Sequence, residues 1–493
     1  MKNSVFIAVD LGAESGRICV GRLGDKVTLR ETYRFPNVPV RVGQGLYWDV
    51  LRLWNDILEG IADTLRNVDG KVESLGFDSW GVSFALIDKY GELLSNPRHY
   101  RDKRVEPIME VVLQKISREE IYHSTGIQFM PINSLYHLYA LKLQDPTQLE
   151  AADCLLMIPD LFNYWATGRK MCEYTNATTT QFFDVRRHRW AEKLLEKLDL
   201  PTSILPSIVD AGTILGNPIE PLSRVCQKEL KIVATATHDT ASAVVASPLT
   251  ESSDIYISSG TWCLLGMEVD EPLITRESME YNLTNEGGAF GKVRLLKNIM
   301  GLWLVQELRR SWMRQGMEYS YSELTEAASK AKAFKCIIDV DNSIFLAPED
   351  MVQAINSFCE ATSQEKPENV GEYVRVALEG LALKYRYYKE CLERLTGSSV
   401  KNIRIVGGGS KNWLLNQFTA DATGCSVSAG PIEATSLGNI MVQASALGYV
   451  KGLREIRDIV RNSVRLEEYE PSKELDWDSP FEKLNELLDV KIT

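Results

Sequence analysis

Residues 232–266, IVATATHDTASAVVASPLTESSDIYISSGTWCLLG, read as strand, polar turn, helix, short linker, strand, Gly turn and strand. The first strand, 232–236, is small and apolar, so its end can form the floor of a cleft. His238-Asp239-Thr240 then opens a helix whose body is Ala241, Ala243, Val244, Val245 and Ala246. An aspartate at such a start has plain structural readings: an N-cap, a first-turn charge favoured by the macrodipole, or a solvated loop. The sequel sets Asp239 apart. Ser258-Ser259-Gly260-Thr261 lies between the apolar runs IYI and WCLLG as a turn rich in backbone donors and hydroxyls, a form that cradles phosphate oxygens.

A matching turn stands near residue 1. Residues 5–10 (VFIAVD) read as a strand, 11–16 as a Gly/Ser turn and 17–23 (RICVGRL) as a second strand. This hairpin connection is not the strand-to-helix connection of a Walker loop, and GxxxxGK[ST] is missing. Gly287-Gly288-Ala289-Phe290-Gly291-Lys292-Val293 is one residue short and ends in Val where a hydroxyl is required. GxGxxG also fails, at the last glycine of 407–412. Two strand–Gly turn–strand units half a chain apart predict an α/β protein of two similar lobes gripping one polyphosphate.

A chain of 493 residues, 44% hydrophobic and 25% charged, has the composition of an ordinary globular protein of two or three domains. A net charge of −12 speaks against a nucleic-acid partner, whose phosphates call for basic patches. Nucleotides remain open, since they bind through local amides and Mg²⁺. Nine scattered cysteines, without CxxC or a Cys/His cluster, indicate neither a disulfide framework nor a zinc site. No signal peptide or membrane-length apolar run is read, so the expected location is cytoplasmic, without a membrane partner.

Along the chain, Asp49 is placed to cap a helix with Val50, Leu53, Trp54, Ile57, Leu58, Ile61 and Leu65 at helical spacing. A strand at 72–77 delivers Asp78-Ser79-Trp80-Gly81 at its carboxyl end, where open α/β sheets gather ligands. Trp80 is equally a half-buried aromatic or a sugar-stacking platform. A helix is expected over 190–200, and another over 299–314 with Asn298 as its cap. Strand 402–406 ends in Gly407-Gly408-Gly409, where the absence of Cβ atoms would let a flat ring approach the backbone, and Ser410 would cap helix 412–423.

These parts suit phosphoryl transfer, which requires positioned phosphates, Mg²⁺ and often a base near the acceptor hydroxyl. Backbone amides at 11–16 and 258–261 would hold the polyphosphate. Asp10 would hold Mg²⁺ through water, and Asp239 would take the hydroxyl proton. Trp80, Gly81, His238 and Asn298 offer a polar lining for a hydroxyl acceptor.

The ordered series DLGAESGR, DSWGVSFALID, YRDKR, GIQFMPINSLY, PDLFNYWATG, EYTNATTTQ, ATHDTASAV, SSGTWCLLG, NEGG, LKNIMGLWL, IVGGGSKN and GPIEATSLGNI closely resembles the FGGY carbohydrate kinases, from Asp10 to about Leu447. HDTAS with LKNIMGLWL points to their L-rhamnulose-phosphorylating branch, whereas DLG and GGG are shared more widely. The resemblance implies an actin-like ATPase (ribonuclease H-like) fold of two lobes with an interdomain cleft. It divides the chain into a sugar-binding lobe at 1–247, a nucleotide-binding lobe at 248–450 and a helical tail at 451–493. It makes Asp239 the proton acceptor and assigns ATP to Ala13, Glu14, Ser15, Gly16, Arg17, Thr261, Gln306, Gly408 and Gly409. Gly81, His238, Asp239, Thr240 and Asn298 would meet the ketose, with ATP and Mg²⁺ as cofactors in a monomer or homodimer.

Two residues depart from the family pattern. Glu14 stands where a small or hydroxyl residue is expected, and its carboxylate should point away from phosphate. Ser83 replaces an Asp close to the sugar-binding turn and could still hydrogen-bond a sugar hydroxyl, though without a charge; L-rhamnulose stays ahead, with L-fuculose the competitor. A non-catalytic ATP- or sugar-binding regulator is the reading from another class. It would tolerate loss of Asp239 and usually adds a helix-turn-helix, which the sequence does not show.

Overall fold

The computed structural model describes residues 4–226 and 229–488. The chain forms two compact units, neither continuous in sequence. The first comprises Met1–Pro248, Glu268–Leu295 and Ala434–Val464; the second comprises Leu249–Met267, Leu296–Glu433 and Arg465–Thr493. Strands Trp262–Val269 and Val293–Met300 each span a border between these segments.

The first unit is built on a six-stranded sheet in the order Thr213–Gly216, Lys231–His238, Val72–Ser79, Ser4–Leu11, Ser15–Leu23, Val27–Pro36. The strands Lys231–His238, Val72–Ser79 and Ser4–Leu11 run parallel. They are covered on both faces, so they read as nearly unbroken apolar runs rather than as alternation. Helices Val50–Arg66 and Ile158–Thr167 cover one face, packing Leu53, Ile57, Ile61, Leu161 and Phe162 onto Val9, Leu75 and Phe77. The Asp49 side chain caps the first of them, accepting from Arg52 N at 3.2 Å. Helix Ala434–Ala446 also packs on these three parallel strands. A second core, around Tyr122, Tyr136, Phe182 and Phe183, supports the segment 108–204.

In the second unit, Ile255–Ser259, Asn402–Val406 and Ser426–Ala429 form a parallel set. Trp262–Val269 flanks it antiparallel on one side and Glu467–Tyr469 on the other. Both N-terminal hairpin and central hairpin thus recur in one pattern: two antiparallel strands, then a later strand parallel to the first. Helix Val370–Thr396, buried along most of its length, forms the backbone of this unit's helical layer.

Three local expectations are corrected. Asn298 is not a helix cap but lies inside strand Val293–Met300, and the helix starts at Trp303 with Leu302 at its N-cap. The run LLKNIM carries no decisive helical period, and its place beside Trp262–Val269 settles it as strand. Gly301 makes the sharp entry possible: a Cβ there would stand 2.8 Å from Cys263 N and 2.5 Å from Cys263 Sγ. Ser410 does not cap the helix Trp413–Thr423. Asn412 does, accepting from Leu415 N at 3.0 Å, while Ser410 Oγ turns back to Gly407 O at 2.7 Å. The helix expected over 190–200 contracts to Glu192–Lys197.

Candidate active site

The first unit's parallel strands end together, and their register sets Asp10 beside Asp78 and Ser79 beside His238. Asp10, Asp78 and Asp239 are therefore gathered at one end of three neighbouring strands. Asp10 is 5% exposed. Its Oδ2 accepts from Arg17 Nη2 at 2.8 Å, Arg17 Nε at 3.0 Å and Ser436 Oγ at 2.7 Å. Asp78 is fully buried and accepts from Asn439 Nδ2 at 2.5 Å, while its Oδ1 has no hydrogen-bond partner. Burial, then the charge of Asp10, pushes the Asp78 carboxyl well above the usual carboxylate range.

Asp239 opens helix Asp239–Val245 with a side chain 30% exposed. Its Oδ1 accepts from Thr240 N at 2.6 Å and lies 3.5 Å from His238 Nε2. Burial raises its carboxyl, with Asp10 adding to the rise and His238 opposing it. The backbone behind it is anchored by Glu173. Glu173 accepts from Thr175 N and Oγ1, and from Thr237 N and Oγ1 at 2.9 Å each. Thr175 Oγ1 in turn accepts from His238 N at 3.1 Å. On the ring side, fully buried Arg294 lies 3.1 Å from His238 Nδ1 and donates to Glu286 Oε2 at 3.1 Å and Gly287 O at 2.8 Å. Neither Arg294 nor Glu173 carries a signal in the sequence, because a lone charge gives no clue to its burial.

Beside this lies an aromatic stack. Trp80 is buried rather than half-buried, with its ring 4.2 Å from Trp48, which lies 4.0 Å from His99. The indole Nε1 of Trp80 is buried without a hydrogen-bond partner. Trp48 Nε1 donates to Ser83 Oγ at 3.1 Å, so Ser83 serves the stack. Gly81 is required by packing, since a Cβ would stand 2.9 Å from Thr179 Cγ2. In the N-terminal hairpin turn only Gly12, Ala13 and Glu14 lie outside the strands. Glu14 is exposed. Gly16 is packed under Phe35.

The second unit holds the other turn. Gly301 N and Trp303 N donate to Thr261 O, and Leu302 N donates to Gly260 O, so the turn rests on the start of helix Trp303–Arg314. Gln306 stands one turn into that helix, with its Oε1 buried and unpartnered. Gly407, at φ 87°, and Gly409 make room for Ser259: a Cβ on either would stand 2.9 Å from Ser259 O or 2.1 Å from Ser259 Oγ. A Cβ on Gly408 would meet nothing within 4 Å. The close approach expected of the three glycines is thus divided: two serve packing, and one leaves open space.

Comparison with known proteins decides the family. The N-terminal domain of the FGGY family of carbohydrate kinases matches residues 5–246, and its C-terminal domain matches residues 255–447. The chain belongs to the FGGY carbohydrate kinases. It is 40% identical over 478 residues to a protein named rhamnulokinase from Bacteroides thetaiotaomicron, covering 97% of this chain and 98% of that one. It is 39% identical to a rhamnulokinase from Pectobacterium atrosepticum, covering 98% and 96%. Among solved structures it is similar to a ligand-bound xylulose kinase from Lactobacillus acidophilus, at TM-score 0.82 and 16% identity over 99% of both chains. A Plasmodium falciparum glycerol kinase with ADP gives TM-score 0.80 at 15% identity over 99% of both. The fold is the two-domain α/β fold of these kinases.

As an FGGY kinase the chain phosphorylates a sugar with ATP. The orphaned Oε1 of Gln306 can take a hydrogen bond from an amino group, and the space over Gly408 can take a flat ring. These features fit a nucleotide. No group of three His, Cys, Asp or Glu among the described residues could cage a metal ion. Asp10, a buried carboxylate at a strand end, fits Mg²⁺, which keeps several waters and needs one or two carboxylates. No helix among the described residues is long and apolar enough to cross a membrane.

Proposed function

We propose that this FGGY kinase transfers the γ-phosphoryl group of ATP to the 1-hydroxyl of L-rhamnulose, giving L-rhamnulose 1-phosphate and ADP in L-rhamnose breakdown. The observation that carries this is the 40% identity, along 97% of the chain, to a protein named for that activity. Asp239 takes the proton of the hydroxyl as its oxygen bonds to phosphorus and the bond from phosphorus to the ADP oxygen breaks. A carboxyl raised by burial, yet partly open, is suited to that task. His238, Thr240, Gly81 and Asn298 hold the ketose, with the unpartnered indole N–H of Trp80 available to a hydroxyl. Ala13, Glu14, Ser15 and Gly16 supply backbone to the phosphates, and Thr261, Gln306, Gly408 and Gly409 hold the rest of ATP. Arg17 acts through its ion pair with Asp10. Asp10 would hold Mg²⁺ through water, and the ion would neutralise phosphate charge. We place the enzyme in the cytoplasm as a monomer or homodimer.

The test is ADP release with Mg-ATP and L-rhamnulose, L-fuculose, L-ribulose or D-xylulose, beside Asp239→Asn. Highest kcat/KM on L-rhamnulose, with a ~10²–10⁴-fold loss in the variant, supports the proposal. Preference for L-fuculose would move the substrate and keep the mechanism. Folded, ATP-binding protein without ketose-dependent ADP release would sink it.

A further inference from the structure

We propose that Arg294, held by Glu286, is a positioning residue that fixes the His238 ring in the tautomer carrying its proton on Nε2. The inference rests on the reading above, in which His238 and Asp239 form the ketose end of the site. A guanidinium has five donors, no acceptor, and is not deprotonated in proteins. Arg294 Nη2 stands 3.1 Å from His238 Nδ1, so that nitrogen accepts and the ring proton belongs to Nε2. Glu286 Oε2 lies 3.4 Å from the same Nδ1 and would by itself favour the opposite tautomer. Arg294 Nη2, 3.1 Å from both groups, donates to both and decides between them.

The consequence falls on the working side of the ring. His238 Nε2, 3.5 Å from Asp239 Oδ1, becomes a donor aimed toward the base and the hydroxyl that the base deprotonates. A donor there steadies the ketose oxygen and orients the carboxylate; the other tautomer would present a lone pair to a carboxylate. The backbone of His238 is tied to Thr175, which holds the residue at the end of its strand. Stability alone gives weak reason for this arrangement. Arg294 is fully buried, its Nη1 has no hydrogen-bond partner, and a well-packed apolar side chain commonly replaces a buried ion pair without loss.

The experiment is ¹⁵N NMR of the full chain with labelled histidine, in which the His238 signals are picked out among five rings by their loss in His238→Asn, together with ketose kinetics. Without substrate, between pH 7 and 9, the wild-type ring should show protonated Nε2 and bare Nδ1. Arg294→Met should shift it toward the Nδ1-protonated form, lower kcat on the ketose at least tenfold and leave the KM for ATP unchanged. Arg294→Lys should restore part of both. A wild-type ring protonated on Nδ1 overturns the proposal, as does a folded Arg294→Met with an unchanged tautomer. If that variant does not fold, the wild-type spectrum still decides. Because the spectrum is read without ketose, failure of the substrate panel leaves this result standing, and the reverse also holds.

Discussion

Asp239 shows how two roles at one residue can be separated. Its Oδ1 accepts from Thr240 N at 2.6 Å, a local bond that an asparagine oxygen can also make. Asp239→Asn should therefore hold its melting temperature while losing turnover; a lost cap would instead lower stability by ~1 kcal/mol. Burial raises this carboxyl, so the acid limb of kcat/KM should lie above the ordinary aspartate range. A pH–rate profile on the preferred ketose checks it. Asp78 gives a stability prediction. Its carboxyl is raised by burial and by Asp10, so the fold favours its protonated form. That contribution is complete below the ordinary aspartate pKa of ~3.9 and is lost as pH rises through the raised value. Asp78→Asn keeps an acceptor for Asn439, so thermal unfolding of the variant should weaken less than wild type as pH increases. An equal or steeper decline would refute it.

Helix Ala434–Ala446 is the element that a reading of sequence undervalues. Ser436, Asn439 and Gln443 form a polar stripe at helical spacing, which normally faces water. All three are fully buried. Ser436 donates to Asp10, Asn439 to Asp78, and Gln443 Nε2 to Ile7 O at 2.9 Å while its Oε1 accepts from Ser74 Oγ. The stripe therefore satisfies strand ends and strand backbone from above. Gly438, on the same helix, lies against the helix that carries Asp239: a Cβ would stand 1.8 Å from Ser242 O. Gly438→Ala should push the two helices apart, cost about 1–3 kcal/mol and lower kcat. Denaturant unfolding with steady-state kinetics tests both, and a neutral variant would show that the contact yields freely. The strand at Val293–Met300 makes the same point in reverse. Its apolar run suits helix and strand alike, so pairing within the sheet settled what periodicity left open.

Across the whole molecule, the nine cysteines are free, as their scattered spacing suggested. All but Cys226 are buried. Burial pushes the thiols of Cys154 and Cys391 up to about 12 and that of Cys226 to about 11. Because the thiolate is the nucleophile, native protein should react slowly with an aromatic disulfide reagent at pH 8, and unfolding in denaturant should release all nine. Rapid reaction of several native thiols would contradict this packing. What the sequence by itself determined was local or ordered along the chain: the α/β class, the two hairpins with their glycine turns, Asp239 at a strand end, and the motif series of the family. These rest on backbone preference and short-range spacing, which travel with the chain. Only the tertiary structure decided that 434–464 returns to the first unit, that Ser436, Asn439 and Gln443 are buried, and that Arg294 meets His238. Desolvation and hydrogen-bond partnership belong to neighbours far apart in sequence, and no window of sequence contains them.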